Sequence, residues 1–377
     1  MATLVEELKS AGGAINRAKL PLHFGDPDAE YDAIREGAAV GSFAWRGILE
    51  ISGRDRIRFL HNGTTNDLLK LATGREGGSF AKGEKIDLPA TPAGPGQFTV
   101  IPSRQGKMIA DAKLRLLEDR VVLDLDRGAI PLTLATLGGM IVSEDVQLKD
   151  RSSEFDLLRV DGPKAKEILG QALGAIPDLP EFHCAMIGEV LVSPSPYTGE
   201  TGFDLVVPAA ASAELWKKLV GAGAKPAGFF AFETARIEHG FPRWAADMNG
   251  TLLPMEAGLD PIAISYTKGC YLGQEVIQRV KTYSEAPRAL VALAIERQRK
   301  PEGGVTAVPN PGSPILADGA NVGSVTSLGW SRKAEMFVGL GLVRKEQKSP
   351  GTKLTLDAGA LKYAALVKPL AWHQGRV

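Results

Sequence analysis

Two stretches of the chain share one pattern of apolar residues around a glycine. Residues 48–60 align without a gap on residues 157–169, and Gly53 and Gly162 fall at the same place in the two copies. In each copy the alternation before the glycine predicts a strand, and the spacing after it predicts a helix. The match indicates a weak internal repeat of two α+β halves, although any strand–glycine–helix unit has a similar pattern.

The hydrophobic spacing predicts further elements on both sides of these units. We expect helices over residues 4–10, 31–37, 211–221 and 228–240, and strands over 97–102, 107–117, 121–126, 189–193 and 203–207. From residue 287 the pattern changes to short strands separated by turns, over 289–295, 313–316, 322–328 and 337–343. The sequence therefore predicts an α+β core over residues 1–285 and a β-barrel or sandwich over 286–377.

The composition excludes several classes of protein. Lysine plus arginine and aspartate plus glutamate both number 44, so no overall charge favours nucleic acid or an anionic membrane as a partner. The N-terminal residues lack the apolar core of a signal peptide, and no segment approaches the ~20 apolar residues of a membrane span. We expect a cytoplasmic protein that binds neither nucleic acid nor membrane.

The chain contains two cysteines, Cys184 and Cys270, which excludes a scaffold held together by disulfides. Two thiols are also too few for an iron–sulfur cluster held by one chain, and the five histidines show no metal-binding spacing near Cys270. We therefore expect no metal site. The chain has no strand-associated G-x-G-x-x-G and no G-x-x-x-x-G-K-[ST], which disfavours dinucleotide enzymes and NTPases.

The segment with the most chemistry is residues 268–275. Leu272, Val276 and Val280 recur every four residues and predict a helix that begins just after Gly269. Cys270 would then lie at a helix N-terminus, where the helix dipole favours a thiolate, and the charge of Lys268 acts in the same direction.

A simpler interpretation of the same segment remains open. Cys270 would be a small buried hydrophobe, Glu275 and Arg279 an ordinary surface pair on a helix, and Gly269 and Gly273 glycines that permit close packing.

The segment K-G-C-Y-L-G-Q-E-x-x-x-R resembles the signature of the YgfZ family, folate-binding relatives of the glycine cleavage T-protein that are associated with iron–sulfur protein maintenance and tRNA modification. The matching positions are Lys268, Gly269, Cys270, Tyr271, Gly273, Gln274, Glu275 and Arg279. The resemblance implies an α+β fold, with a T-protein-like core of ferredoxin-like halves followed by a C-terminal β-barrel. It also implies a ligand that is tetrahydrofolate or a derivative, and iron–sulfur client or assembly proteins as partners.

Three other motifs resemble those of the T-protein family, namely Y-T-G-E-x-G-F at 197–203, T-N-D at 65–67 and R-x-E-x-G-x-P at 236–242. The resemblance implies that Glu200 holds the pterin ring of folate and that Arg236 pairs with a ligand carboxylate. The implied folate-binding residues are Thr65, Asn66, Asp67, Tyr197, Glu200 and Arg236. Without the resemblance, helix caps and a solvated turn glutamate are the commoner explanations.

The acidic pair of the T-protein motif G-x-x-x-D-D is only half present, because Ala110 precedes Asp111. In a glycine-cleavage aminomethyltransferase an aspartate of this region assists proton movement at a folate nitrogen. A carboxylate on a strand must face solvent, a partner or a ligand. We therefore predict a folate-binding accessory protein that uses Cys270, with Lys268 and Asp111 as further catalytic candidates, in assembly or repair of iron–sulfur clusters. The alternatives are a tetrahydrofolate-dependent aminomethyltransferase and a folate-sensing scaffold with an inert thiol.

Overall fold

The computed structural model describes residues 3–75, 77–80, 84, 86, 88, 93–296, 309–359 and 361–374. Its helices are α1 (Leu4–Ser10), α2 (Pro27–Glu36), α3 (Arg56–Gly63), α4 (Leu68–Thr73), α5 (Ile130–Gly138), α6 (Ala165–Leu173), α7 (Ala209–Gly221), α8 (Phe229–His239), α9 (Asp260–Ala263) and α10 (Gln274–Tyr283). The described residues include no helix that is long and apolar enough to cross a membrane.

The strands form two open sheets and one closed barrel. Those of the first 226 residues are β1 (Ala39–Ser42), β2 (Arg46–Ser52), β3 (Ala93–Gly94), β4 (Gly96–Pro102), β5 (Met108–Leu116), β6 (Arg120–Asp126), β7 (Gln147–Asp150), β8 (Phe155–Asp161), β9 (Cys184–Ile187), β10 (Val190–Pro194), β11 (Gly202–Pro208) and β12 (Lys225–Pro226). The remaining strands are β13 (Arg288–Ile295), β14 (Pro314–Ala317), β15 (Ala320–Ser331), β16 (Met336–Arg344), β17 (Lys353–Asp357) and β18 (Lys362–Lys368).

The first sheet has the strand order β4-β5-β6-β2-β7 and is antiparallel throughout. The second has the order β12-β1-β8-β11-β10-β9-β3, in which only the β1–β12 pair is parallel. Strands β13-β16-β15-β14-β17-β18 close the barrel. The predicted α+β core with a C-terminal β-barrel is therefore confirmed. The predicted boundary at 285/286 falls between the end of α10 and the start of β13.

The strand–glycine–helix unit occurs twice, as predicted, with one copy in each open sheet. Strand β2 leads through Gly53 to α3, and β8 leads through Gly162 to α6. The two glycines have φ angles of +100° and +130°, which side chains rarely adopt. A Cβ atom would lie 2.1 Å from the carbonyl oxygen of Asp145 at the first glycine and 2.4 Å from that of Gly37 at the second. The same backbone requirement thus applies to both copies.

The apolar residues form a shared core and two outer layers. The shared core joins the two open sheets, α8 and the barrel, with Val122, Leu191, Phe232 and Leu340 among its buried members. Helices α1, α6 and α7 cover the other face of the larger sheet. Helices α3, α4 and α5 cover the other face of the smaller one. Polar groups on the facing strands of the two sheets are consequently shielded from water.

The prediction of a helix beginning just after Gly269 is wrong. Helix α10 begins at Gln274, because Gly273 has a φ of +73° and closes a turn before it. Its buried residue is Ile277. Cys270 therefore lies in the segment before the helix, and the argument from the helix dipole does not apply to its thiol.

Candidate functional site

A cluster of buried charges lies on the facing strands of the two open sheets. Lys113 donates to Asp204 at 2.6 Å, and Arg159 donates to the other oxygen of the same carboxylate at 2.6 Å. In the smaller sheet, Arg46 donates to Asp124 at 2.7 Å. The cluster consists of Arg46, Asp111, Lys113, Arg115, Asp124, Arg159, Asp161 and Asp204, all of them buried. Its four cations and four carboxylates balance in charge, which is the condition under which ions are tolerated inside a protein.

The pKa shifts in this cluster follow from burial and from the ion pairs. Burial raises the pKa of Asp161 and lowers that of Lys113, although Asp204 opposes the second shift. For Asp204 burial acts to raise the pKa, but the charges of Lys113, Arg159 and Arg115 outweigh it and hold the pKa well below its usual range. The link between the sheets is therefore ionic.

The carboxylate of Asp111 faces Arg46 but is not fully hydrogen-bonded. Its Oδ2 lies 3.5 Å from Arg46 Nη1, and its buried Oδ1 has no hydrogen-bond partner among the described residues. Asp126 lies close by, and burial raises its pKa, with the charge of Asp111 adding to the effect and Arg46 and Arg243 opposing it. Three carboxyl groups, those of Asp111, Asp124 and Asp126, thus lie around Arg46.

Aromatic rings border the same region. The ring centroids of Phe43 and Trp45 are 4.3 Å apart, and those of Phe43 and Tyr197 are 5.3 Å apart. The Tyr197 hydroxyl is buried and has no hydrogen-bond partner in the described part of the chain, and burial raises the pKa of Tyr197. On the other side, Phe229 packs edge-on against Trp45, and the Arg243 guanidinium lies 5.3 Å from the centre of the Phe229 ring.

We call this region, bounded by Trp45, Asp111, Asp126, Tyr197 and Arg243, the central site. Buried polar atoms without partners normally indicate a missing water or ligand, because leaving them unpaired costs free energy. A flat heterocycle with hydrogen-bond donors and acceptors along its edge can pack against the aromatic rings and form hydrogen bonds with the unpaired oxygens. The central site therefore has the chemistry needed to bind such a ligand.

Of the six residues predicted to bind folate, Tyr197 is the one that borders the central site. Glu200 pairs with Arg35 at 3.0 Å and lines a separate pocket of about 360 Å³ that includes Ser195 and Trp372. Its role in holding a pterin stays a prediction.

Arg236 is fully buried on α8 and already paired. It donates to Asp247 at 2.6 Å and to Ser327 of β15 at 2.6 Å, and it also contacts Glu233. These bonds join α8 to the barrel. A ligand carboxylate would have to compete with them, so the predicted pairing with a ligand stays a prediction.

The Thr65–Asn66–Asp67 run is also occupied by protein partners. Thr65 donates to the carbonyl of Ala263, and Asn66 donates to the carbonyls of Phe98 and Ile262, both at 2.8 Å. Asp67 accepts from the backbone N–H of Lys70 and caps α4. In this arrangement the run connects α4 to β4 and α9.

Lys268 anchors the thiol segment to that run. Its buried ammonium donates to the carbonyl oxygens of His61, Thr64 and Asn66, the last two at 2.8 and 2.9 Å. Burial lowers the pKa of Lys268 to about 7, and Asp67 opposes the shift. The ammonium lies 4.9 Å from the centre of the Tyr271 ring. The contacts therefore assign Lys268 to positioning the segment rather than to standing free beside the thiol.

Cys270 is exposed, whereas Cys184 is buried in β9. Burial raises the pKa of Cys184. Cys270 lines a pocket of about 440 Å³ together with Arg58, Asn62, Ser79, Phe80, Met140, Tyr271 and Leu272. A scaffold whose thiol is inert because it is buried does not match this arrangement. We call this the thiol pocket.

The other motif residues support the thiol segment. A Cβ atom on Gly269 would lie 1.8 Å from Ser79 Oγ, so the close approach of these two segments requires glycine. Gln274 donates to the carbonyl of Lys268 at 3.4 Å, and Glu275 and Arg279 lie exposed on α10. The described residues contain no group of three or more histidine, cysteine, aspartate or glutamate side chains that could hold a metal ion.

Sequence reasoning singled out Asp111, Tyr197 and Cys270, whose roles stay predictions, and it did not single out Asp126, Arg243 or the rest of the charge cluster. One signal was available, because Asp111, Lys113 and Arg115 alternate along an otherwise apolar strand. Such a pattern places three charges on one face of a buried strand. On β8, Arg159 and Asp161 alternate in the same way, whereas Asp204 is the single charge of β11.

The chain matches two protein-family models, the GCVT N-terminal domain over residues 86–268 and the glycine cleavage T-protein C-terminal barrel domain over residues 288–371. An aminomethyltransferase of Geobacillus kaustophilus is 28% identical over 368 residues, covering 94% of this chain and 93% of its own length. A putative chloroplastic transferase of Arabidopsis thaliana is 27% identical over 358 residues, covering 93% and 76%.

The fold also has a close match among solved structures. The glycine cleavage system aminomethyltransferase T of Bartonella henselae superposes with a TM-score of 0.82 at 21% identity and covers 98% of this chain and 97% of its own. At that identity the likeness establishes the fold.

Proposed function

We propose, from the premise that this chain carries both domains of the glycine cleavage T-protein and has the T-protein fold, that it binds a reduced folate at the central site. The observation that carries the proposal is the buried Oδ1 of Asp111, which has no hydrogen-bond partner among the described residues. A carboxylate oxygen is a strong acceptor for the N–H groups on the edge of a pterin ring. The residues of the central site therefore fit the ligand.

The side chains of the central site would have different roles, some binding the ligand and others accepting or holding a proton. Bound reduced folate supplies a nitrogen that can carry a one-carbon unit. Asp111, held beside Arg46, accepts a hydrogen bond or a proton. Asp126, whose pKa is raised by burial, holds a proton more readily than an exposed aspartate does. Trp45 and Phe229 supply apolar ring surface on one side.

The names of the relatives favour aminomethyl transfer as the use of that folate. Asp111 supplies an acidic group at the central site, while Ala110 occupies the position of the second one in the T-protein motif. Tetrahydrofolate-dependent aminomethyl transfer is accordingly our first candidate for the activity.

The thiol pocket favours a second candidate, an accessory role in assembly or repair of iron–sulfur clusters. Its support is the exposure of Cys270 and the anchoring of its segment by Lys268. A thiol has no task in moving a one-carbon unit to folate. The resemblance of the 268–275 segment to the YgfZ signature points to the same role, with iron–sulfur client or assembly proteins as partners.

Calorimetric titration with tetrahydrofolate tests the binding proposal. We expect the wild-type protein to bind, and Asp111→Asn to weaken the affinity about ten- to hundredfold, since a charged hydrogen bond contributes about 1.5–3 kcal/mol. Asp119→Asn, at an exposed turn residue, is the matched control and should bind as the wild type does. Absence of folate binding by the folded wild-type protein would contradict the proposal.

Two assays separate the candidate activities. In the first, purified protein receives tetrahydrofolate and an aminomethylated lipoyl carrier, and methylene transfer is measured. In the second, iron–sulfur enzyme activities are measured in cells that lack the protein and carry either the wild-type chain or Cys270→Ser. Methylene transfer by the purified protein, together with normal iron–sulfur enzyme activities in the cells that lack it, supports the transferase. Absent turnover, with iron–sulfur enzymes restored by the wild type but not by the variant, supports the accessory role.

A further inference from the structure

We propose that the thiol pocket is a binding and modification site for small acidic disulfides, with which Cys270 forms a mixed disulfide. The proposal rests on the second candidate function in one respect, since both take the thiol of Cys270 to be reactive. It adds the chemical class of the ligand and the residues that select it.

The first observation is a built pocket around an accessible sulfur. Cys270 is exposed and lines a cavity of about 440 Å³, within the range of about 300–1,000 Å³ that is usual for small-molecule sites. Gly269 fits so closely against Ser79 that the thiol segment is held on the wall of this cavity. The sulfur is thus fixed beside a space that a ligand can occupy.

The second observation is a buried hydroxyl that lacks a partner. Tyr271 lines the same pocket and is 7% exposed, and its hydroxyl has no hydrogen-bond partner among the described residues. A buried hydroxyl group normally donates to an acceptor. A carboxylate or carbonyl oxygen of a bound ligand would supply that acceptor.

The third observation is the sign of the charge. Arg58 lines the pocket, and its Nη2 pairs with Asp55 at 2.9 Å, while the described residues that line the pocket include no carboxylate. The Lys268 ammonium lies behind the Tyr271 ring. Arg58 is the one charged side chain among the described residues that line the pocket, and its guanidinium favours an anionic ligand over a cationic one. The apolar side chains of Phe80, Met140 and Leu272 line the same pocket and can contact the aliphatic part of the ligand.

The covalent step is thiol–disulfide exchange. The thiolate form of Cys270 attacks one sulfur of the ligand disulfide, a Cys270–ligand S–S bond forms, and the S–S bond of the ligand breaks. The second half of the ligand leaves with the electron pair as a thiolate, which takes up a proton equivalent to the one that Cys270 released. The ligand disulfide is the oxidant, so no further reagent is needed.

The experiment compares three disulfides of similar reactivity on the full-length protein near neutral pH. The probes are oxidised glutathione, which is acidic, hydroxyethyl disulfide, which is neutral, and cystamine, which is cationic. Formation of each mixed disulfide at Cys270 is followed by mass spectrometry, and every rate is divided by the rate of the same probe with a free model thiol. We expect the normalised rate with oxidised glutathione to exceed that with cystamine about tenfold at low salt and to lose that advantage at high salt.

Variants assign the selectivity to the pocket. Arg58→Gln should remove most of the preference for oxidised glutathione, and Tyr271→Phe should lower the rate with the acidic probe more than with the neutral one. Arg17→Gln, at an exposed arginine near the N-terminus, should change neither. Equal normalised rates with the acidic and cationic probes in the wild-type protein would overturn the proposal, and this comparison needs no variant to fold.

The result is distinguishable from a failure of the proposed function. If Cys270→Ser fails to support iron–sulfur enzymes but the wild type shows no acidic preference, the accessory role stands and the ligand proposal falls. If the acidic preference is present but Cys270→Ser supports these enzymes normally, the ligand proposal stands and the accessory role falls.

Discussion

Lys268 is a buried ammonium whose three N–H donors meet three backbone carbonyl oxygens. Burial lowers its pKa to about 7, and its titratable neighbours are Asp67 and His61, the latter with a pKa lowered to about 4 by burial and by the Lys268 charge. An unfolded lysine titrates near 10.4, so between about pH 7 and that value the unfolded chain binds more protons and stability rises with pH.

We therefore expect the free energy of unfolding of the wild-type protein, relative to Lys268→Met, to increase with pH above about 7, by at most about 1.4 kcal/mol per pH unit. Below that pH the difference should be flat, because both states are protonated. Urea unfolding over a pH series measures it. Lys353→Met, at an exposed lysine, should leave the pH profile of the wild type unchanged. A difference that does not change with pH would show that Lys268 keeps its proton throughout.

Gly162 and Gly170 provide a second test at the scale of single residues. Alanine at Gly162 would need a φ of +130° and would place Cβ 2.4 Å from the carbonyl oxygen of Gly37, so we expect a loss of about 1–3 kcal/mol in stability. A Cβ at Gly170, inside α6, meets nothing within 4 Å. Gly170→Ala should stabilise by about 0.5–1 kcal/mol. Equal effects in chemical denaturation would contradict the repeat-turn argument.

At the scale of elements, the two open sheets are joined by the pairs that Asp204 on β11 makes with Lys113 and Arg159. Asp204→Asn leaves the cluster with an excess positive charge, so we expect a cost of about 3–5 kcal/mol. Adding Lys113→Met restores the balance of charge. The double variant should therefore lose clearly less stability than the sum of the two single variants.

Denaturation of the four proteins in this cycle measures the coupling. The exposed pair of Glu214 and Lys218 on α7 is the control, and Glu214→Gln should leave the stability almost unchanged because water screens the pair. Additive effects at Asp204 and Lys113 would mean that the cluster does not act as a unit.

Local periodicity predicted most of these elements but not the site between them. The strands β4, β5 and β6 and the barrel could be predicted because alternation is a property of adjacent residues. The start of α10 could not, because the turn at Gly273 depends on a close approach to the carbonyl of Ser103, far away in the chain. Asp126 and Arg243 were missed for the same reason, since Asp126 meets Arg46 only when β6 pairs with β2, and Arg243 approaches Asp126 from the segment after α8.

At the scale of the whole molecule, the barrel meets the core through shared apolar packing and through buried carboxylates, one of which is Asp247. Asp247 accepts hydrogen bonds from Arg236 on α8 and from Thr326 and Ser327 on β15, at 2.6, 2.6 and 2.7 Å. The chain then returns from the barrel to the core, where Trp372 packs against Phe241 with ring centroids 5.4 Å apart. These contacts make the folding of the barrel and that of the core depend on each other.

Asp247→Ala removes the shared acceptor and leaves the buried Arg236 with Glu233 as its carboxylate partner. We expect a loss of about 3–5 kcal/mol and, because this ionic link is broken while the barrel's interior and the outer layers of the two sheets stay intact, separate unfolding of barrel and core. Scanning calorimetry should show one transition in the wild type and two in the variant. Glu346→Ala, at an exposed carboxylate after β16, should leave the wild-type transition unchanged. A single transition at the wild-type temperature in Asp247→Ala would mean that the apolar contacts of α8 with the barrel, rather than Asp247, hold the two parts together.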